Sequence, residues 1–348
     1  MIAKLQKVLK KLPKSIDEYV RTVTLLSDSD FYPTSLQACQ RVPEYQSILQ
    51  RFFDEDVPFV TGNALKYWTE GLRERVHLLS NADHQVIEFS RDEVIQMMSC
   101  MTLGCFDGGM KQVNFLQWQS NYECDNFLLM EEYLHQMRSY PRLQEKVIIE
   151  TKNLTNPETI DSLISSSVPL TSLNSELVKR IEDVPKHAFI DFANKYIGGS
   201  SLLGASAQEE ILFSIFPECC LSCTFCNVMT NTQAIIIRGC VRIGTYTGYG
   251  GSFKYLGPFE AASSLPSEVI AIDANPCGHL QFEDNMILRD INKAFCGFSL
   301  AGEEMDGIAS GKWGCGVFGG NPYLKVLQQW IAASLAGKDV VVKILTEE

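Results

Sequence analysis

Along the first 145 residues, apolar side chains recur every three to four positions. Phe127, Leu128, Met130, Tyr133, Leu134 and Met137 share one face of a helix across 125–139. Val94, Ile95, Met97, Met98 and Met101 follow Ser90-Arg-Asp-Glu93, a capping box in which serine and glutamate satisfy the first free N–H groups of a helix. Ser15-Ile-Asp-Glu18 repeats that signature, and residues 63–79 repeat the helical spacing. Nothing before about residue 146 reads as a strand.

The texture then changes. Short runs rich in Val, Ile and Phe occupy 147–150, 188–192, 234–237, 269–272 and 340–344, with helical patterns at 156–165, 208–216, 285–295 and 322–336. Strands alternating with helices predict a layered α/β fold whose sheet is mostly buried. Glycine marks the same boundary: only 5 of the 24 glycines lie in residues 1–150, and the other 19 all stand at or after Gly198. The expected plan is a helical domain over 1–145 and an α/β domain over 146–348 that carries the loops.

Composition narrows the function classes. The chain has 348 residues, 30 Lys plus Arg against 42 Asp plus Glu, and a net charge of −12. Neither half is basic, so wholesale binding to nucleic acid or an acidic membrane is not expected. Lys4, Lys7, Lys10, Lys11 and Lys14 alternate with Leu5, Val8, Leu9 and Leu12, which reads as the solvated face of a docking helix. No run of 18 or more apolar residues calls for a membrane span. The 12 cysteines, without a secretory signal, read as reduced thiols in the nucleus or cytosol.

Four segments could carry chemistry. Cys219, Cys220, Cys223 and Cys226 contain C-x2-C twice, but zinc sites draw ligands from separated segments, and these four are expected to be buried structural thiols. Gly314-Cys-Gly316-Val-Phe-Gly319 is a G-x-G-x-x-G run before a helical stretch. Residues 309–313 do not read as a strand, so a dinucleotide fold is disfavoured; a loop whose N–H groups cradle a phosphate, or a plain turn, remain. Gly198-Gly199-Ser200 leads to Gln208-Glu209-Glu210 at a helix start. Adjacent acids there complement the helix dipole whether or not they are functional. Neighbours on a helix diverge by about 100°, so one acid would do proton work and the other something else. Tyr246-Thr247-Gly248-Tyr249 suits either stacking on a base or ribose, or a hairpin with cross-strand aromatics.

Together these segments resemble the poly(ADP-ribose) glycohydrolase (PARG) family. Its signature of a glycine run followed by Gln-Glu-Glu stands here as Gly198-Gly199-Ser200 and Gln208-Glu209-Glu210. Around it lie Asp191-Phe192-Ala193-Asn194, Tyr246-Thr247-Gly248-Tyr249, Val269-Ile-Ala-Ile-Asp273, Asn292 through Phe298 and Trp313 through Gly320, in order. The resemblance implies an α/β macrodomain-like core, a mixed sheet flanked by helices, preceded by an all-helical accessory domain. It implies hydrolysis of ribose–ribose O-glycosidic bonds in poly(ADP-ribose), releasing ADP-ribose, with no metal and no cofactor. Glu210 would be the catalytic acid and Glu209 would hold a ribose hydroxyl. Phe192, Asn194, Gly198, Gly199, Gln208 and Asn292 would line or contact the substrate. Glu182 would read the adenine amino group and Tyr249 would close over the adenosine. Gly316, Val317 and Phe318 would wrap the diphosphate. Implied partners are the polymer, ADP-ribose and poly(ADP-ribosyl)ated proteins, with neither sequence-specific nucleic acid nor membrane. Neutral donors, rather than a Lys/Arg groove, would recognise the polyanion. One departure stands out: Ser200 replaces the third glycine, which also motivates an alternative reading as a weakened ADP-ribose-binding module.

Overall fold

A computed structural model describes the chain except residues 29–31, 77–78, 80–82, 108–112, 121–124, 177–179, 261–266, 277 and 344–348. Its first part is helical: α1 (Ile2–Lys10), α2 (Ile16–Ser27), α3 (Thr34–Arg41), α4 (Pro43–Arg51), α5 (Val57–Thr69), α6 (Leu72–Arg75), α7 (Arg91–Thr102), α8 (Leu116–Ser120) and α9 (Asp125–Met137). The Ser90 capping box forms in full, with Glu93 N donating to Ser90 Oγ and Glu93 Oε2 accepting from Ser90 N. Ser15 caps α2 by accepting from Glu18 N at 3.3 Å. On α1, Leu5 and Val8 are buried and Lys7 and Lys10 are exposed, the arrangement of a docking helix.

The sheet takes strands from both parts of the chain. β1 (His84–Ser90) pairs antiparallel with β2 (Lys146–Asn153), so a strand does precede residue 146. Only Ile87 and Phe89 of β1 are buried, too little apolar signal for so short a run. After α10 (Ile160–Ile164) come β3 (Leu173–Glu176), β4 (His187–Asp191), α11 (Gln208–Ile215), α12 (Cys220–Phe225) and β5 (Gln233–Arg238). Then follow β6 (Gly244–Thr247), β7 (Lys254–Pro258), β8 (Glu268–Ala271), α13 (Asp284–Phe298), β9 (Gly307–Ser310), α14 (Pro322–Leu335) and β10 (Asp339–Lys343). The eight-stranded order is β1-β2-β5-β8-β4-β9-β10-β3. It is mixed: parallel among β8, β4, β9, β10 and β3, antiparallel from β8 through β5 and β2 to β1.

Period two explains why the central strands read as unbroken apolar runs: each strand sends alternate side chains to two buried faces. Ile235, Ile237, Val269 and Ala271 join the core shared with the N-terminal helices. Ala234, Ile236, Ile270 and Ile272 join the other core, under α13 and α14. The first core runs unbroken from Leu5 to Ala309, so the helices and one sheet face bury a common interior.

Candidate active site

β4 ends at Asp191, and the following loop returns to α11 at Gln208. The Gln208 side chain ties the two together, its Oε1 accepting from Phe192 N at 2.8 Å and its Nε2 donating to Ile190 O at 3.0 Å. Glu209 is buried and both its oxygens are engaged by backbone: Oε1 accepts from Gly198 N at 2.6 Å and Oε2 from Asn194 N at 2.9 Å. Glu210 is held differently. Its Oε1 accepts from Ser200 N at 3.1 Å, while its buried Oε2 has no hydrogen-bond partner among the described residues.

Glycine makes this possible. A Cβ on Gly199 (φ +48°) would lie 2.6 Å from Glu209 Oε2 and 2.8 Å from Glu210 Oε1. Helical spacing alone would splay the two carboxylates, but the loop wraps over the helix start and meets both at one residue. Gly198 (φ +86°) is equally constrained, because a Cβ there would fall 2.3 Å from Cys223 Sγ. Ser200, by contrast, has φ −104°, where an L side chain fits without strain. The departure from a glycine run therefore costs the backbone nothing. Trp118, on α8, pins the loop by donating from Nε1 to Ser201 O at 2.6 Å.

A third carboxyl stands behind the pair. Asp191 is fully buried and neither oxygen has a hydrogen-bond partner among the described residues. Burial, and then the charge of Glu210, pushes the Asp191 carboxyl well above the usual carboxylate range. Burial and then the charge of Asp191 push Glu209 up as well, against the two backbone N–H groups that favour its ionised form. Sequence reading placed Asp191 only among matching surroundings. Its signal was position, the last residue of a buried parallel strand, where α/β folds open to ligand.

Glu210 faces a cleft of about 1600 Å³. Along one wall, β6 and β7 pair as a hairpin in which Tyr246 lies opposite Tyr255, and the turn beyond β6 carries Tyr249, which is 57% exposed. The hairpin reading holds, and it leaves the Tyr249 side chain exposed at the turn. Tyr246 OH donates to Glu182 Oε1 at 2.8 Å, setting Glu182 in the cleft, where burial raises its carboxyl above the ordinary value. Residues 311–318 of the loop 311–320 also line the cleft. β9 precedes this loop and α14 follows, so the glycine run does stand between a strand and a helix, contrary to the sequence expectation. Gly307-Ile-Ala-Ser310 is fully buried but too small-sided to read as a strand. Gly316 and Val317 are exposed at the loop tip, and Phe318 is partly buried against the second core. Asn321 caps α14, accepting from Tyr323 N and Leu324 N at 3.0 and 3.1 Å.

Of the residues singled out by sequence, Glu182, Phe192, Asn194, Gly199, Gln208, Glu209, Glu210, Tyr249, Gly316, Val317 and Phe318 line this cleft. Gly198 lies just behind its wall. Asn292 does not reach it: on α13 it is buried, accepting from Glu158 N at 2.7 Å and donating to Glu158 O at 3.0 Å. Its work is to hold residue 158 to that helix. Cations were also missed. Arg180, Lys312 and Lys343 line the cleft, so it offers positive side chains besides neutral donors, although Arg180 already donates to Tyr246 O.

The four clustered cysteines are buried in the helical core, and they turn to different neighbours. Cys219 Sγ lies 3.8 Å from Cys240 Sγ, and Cys220 Sγ 3.9 Å from Phe213 O. Burial raises the thiols of Cys219 and Cys220 well above their ordinary value.

A family model described as poly(ADP-ribose) glycohydrolase, macro domain fold, matches residues 160–348, more than half of the chain. The chain belongs to the poly(ADP-ribose) glycohydrolase family. The match begins after β2, so β1, β2 and the N-terminal helices lie outside it. Among PARG relatives, a probable poly(ADP-ribose) glycohydrolase 2 of Arabidopsis thaliana is 35% identical over 225 residues, covering 51% of this chain and 43% of the relative. Poly(ADP-ribose) glycohydrolase 1 of the same plant is 25% identical over 385 residues, covering 82% and 70%. Poly(ADP-ribose) glycohydrolase 1 of Caenorhabditis elegans is 34% identical over 208 residues, covering 54% and 26%. Two of these three relatives are thus matched over less than half of their own length.

Proposed function

We propose that the chain hydrolyses the ribose–ribose O-glycosidic bonds of poly(ADP-ribose) and releases ADP-ribose, with Glu210 as general acid and base. One observation carries the reading: Glu210 is anchored by one oxygen on the glycine loop, and its other oxygen is buried, without a partner among the described residues, beside a cleft of about 1600 Å³. Oε2, protonated, gives its proton to the departing ribose oxygen as the C1–O bond breaks and an oxocarbenium-like sugar forms. The resulting carboxylate then takes a proton from the water that attacks C1, which restores the acid. Glu209, immobilised by two N–H groups, offers its remaining lone pairs to a ribose hydroxyl, and Asn194 orients the same sugar. Backbone N–H groups of 316–318 receive the diphosphate, with Lys312 close enough to add charge. Glu182 takes the adenine amino group and Tyr249 covers the adenosine. Poly(ADP-ribosyl)ated proteins in the nucleus or cytosol would present the polymer.

A positioned proton donor is worth about 10²–10⁴ in rate. Glu210→Gln is therefore expected to lower release of ADP-ribose from purified polymer by that factor, while calorimetry finds ADP-ribose affinity within about threefold of the parent. Parent protein that binds ADP-ribose and leaves polymer intact would overturn the enzyme reading in favour of the binding module. The ordinary backbone of Ser200 favours the enzyme.

A further inference from the structure

A second cluster of ionisable side chains lies in the helical part, away from the cleft. Residues Phe52–Asp56 form a π-helical segment between α4 and α5. Such insertions are rare and often mark functional positions. The segment turns Phe52, Phe53 and Asp56 inward together, so a carboxylate enters an aromatic core. Asp56 is fully buried, and among the described residues no donor reaches either of its oxygens; the group against it is the carboxyl of Glu131. Glu131 and His135, one helical turn apart on α9, face it. One donor atom from each of the three lies within 4.8 Å of the other two. His135 Nδ1 also lacks a hydrogen-bond partner, although it sits 3.5 Å from Asp56 Oδ1.

We propose that Asp56, Glu131 and His135 bind a divalent first-row transition metal ion, with Zn2+ the cation that best fits one imidazole and two carboxylates.

The chemistry of the three side chains and of their surroundings agrees. Imidazole nitrogen and carboxylate oxygen are ordinary zinc ligands at about 2.0–2.2 Å, and three protein ligands leave a fourth position for water. Drawing the donors onto an ion needs a closure of about 1 Å, within reach of side-chain torsions. Charge favours a cation: even with Asp56 uncharged, Glu55, Glu131 and Glu132 outnumber Arg51 and Arg138, the cations that face them among the described residues. Arg51 donates to both oxygens of Glu131, the outer-shell contact that orients a ligating carboxylate. In the ion-free fold burial, then Glu131, pushes the Asp56 carboxyl up to about 8, and burial, then Arg51, keeps His135 below its usual value. His135 is partly exposed and opens a path from solvent.

The test uses the full chain stripped with a chelator and titrated with Zn2+ or Co2+. Expected are one equivalent bound, a rise in melting temperature, and a Co2+ spectrum with visible d–d bands but no near-ultraviolet thiolate band. Asp56→Asn and His135→Gln should each weaken binding at least about tenfold. Asp56→Asn preserves volume and should melt, without metal, no lower than the parent. His135→Gln alters a partly exposed side chain and guards against a folding defect in the first variant. No binding at micromolar Zn2+, binding that survives both substitutions, or a thiolate band from the cysteines would each overturn the proposal.

Discussion

At Gly199 the space allows only a hydrogen. The positive φ and the two carboxylate oxygens within 3 Å of a would-be Cβ make one glycine responsible for where two glutamates end. Gly199→Ala must move either the loop or both acids. A displacement of about 1 Å at a catalytic group can cost about 10²-fold in rate, and a loss of that size in turnover is expected with the far-ultraviolet spectrum unchanged. Ser200→Gly, where no such constraint exists, serves as the control and should leave turnover near the parent's. The Gln208-Glu209-Glu210 run was readable as a motif, and so was the divergence of its two acids on the helix. Which acid would be saturated by backbone donors was not readable, because Asn194 and Gly198 reach Glu209 only once the loop has closed.

Elements differ in how much of their signal is local. The capped helices α2 and α7, and the apolar strands β2, β4, β5, β8 and β10, announce themselves through spacing. β3 and β9 do not: Leu-Asn-Ser-Glu and Gly-Ile-Ala-Ser become strands because neighbouring strands need partners. The π-helical turn is another such case, since its inward aspartate is tolerated only in a particular packing. Its pH consequence follows from linkage. Asp56 holds its proton to about pH 8 in the fold but only to its usual 3.8 when unfolded. Its contribution to stability is complete below pH 3.8 and is lost as pH rises through about 8. Urea titrations of metal-free protein should show stability falling between about pH 4 and about pH 8, and Asp56→Asn should flatten that slope. A slope unchanged by the substitution would assign it to other groups, such as the raised Asp191 and Glu209.

On the scale of the molecule, the helical part is fastened to the sheet by a buried ion pair. Arg91, at the start of α7, donates to Glu218 and, at 2.6 Å, to Gly239 O. Glu218 also accepts from Tyr133 OH at 3.2 Å and from Val241 N at 3.1 Å. Glu218→Ala leaves Arg91 charged and buried with only the more distant Glu145, at 3.9 Å, as counter-charge among the described residues. Breaking such a pair from one side costs about 3–5 kcal/mol, which denaturant titration would read directly as a lower midpoint. The shared core and this pair make the N-terminal helices a support for the loop that carries Gly199, through Trp118, rather than an appendage. Net charge belongs to this scale too. The chain as a whole is acidic, yet Lys312 and Lys343 stand at the cleft, local positive charge that the total conceals.

Taken by itself, the sequence determined the local and periodic features: the helix caps, the doubly buried strands, the glycine-poor and glycine-rich halves, and an ordered set of motifs specific enough to name a family. These are legible because each depends on residues within a turn or a strand of one another. Tertiary structure alone decided the rest. It made β1 part of the sheet, turned Asn292 away from the cleft, placed Asp191 behind the glutamates, and gathered Asp56, Glu131 and His135 from segments about 80 residues apart. Those outcomes follow from which buried polar groups find partners, and that is settled only when distant segments pack.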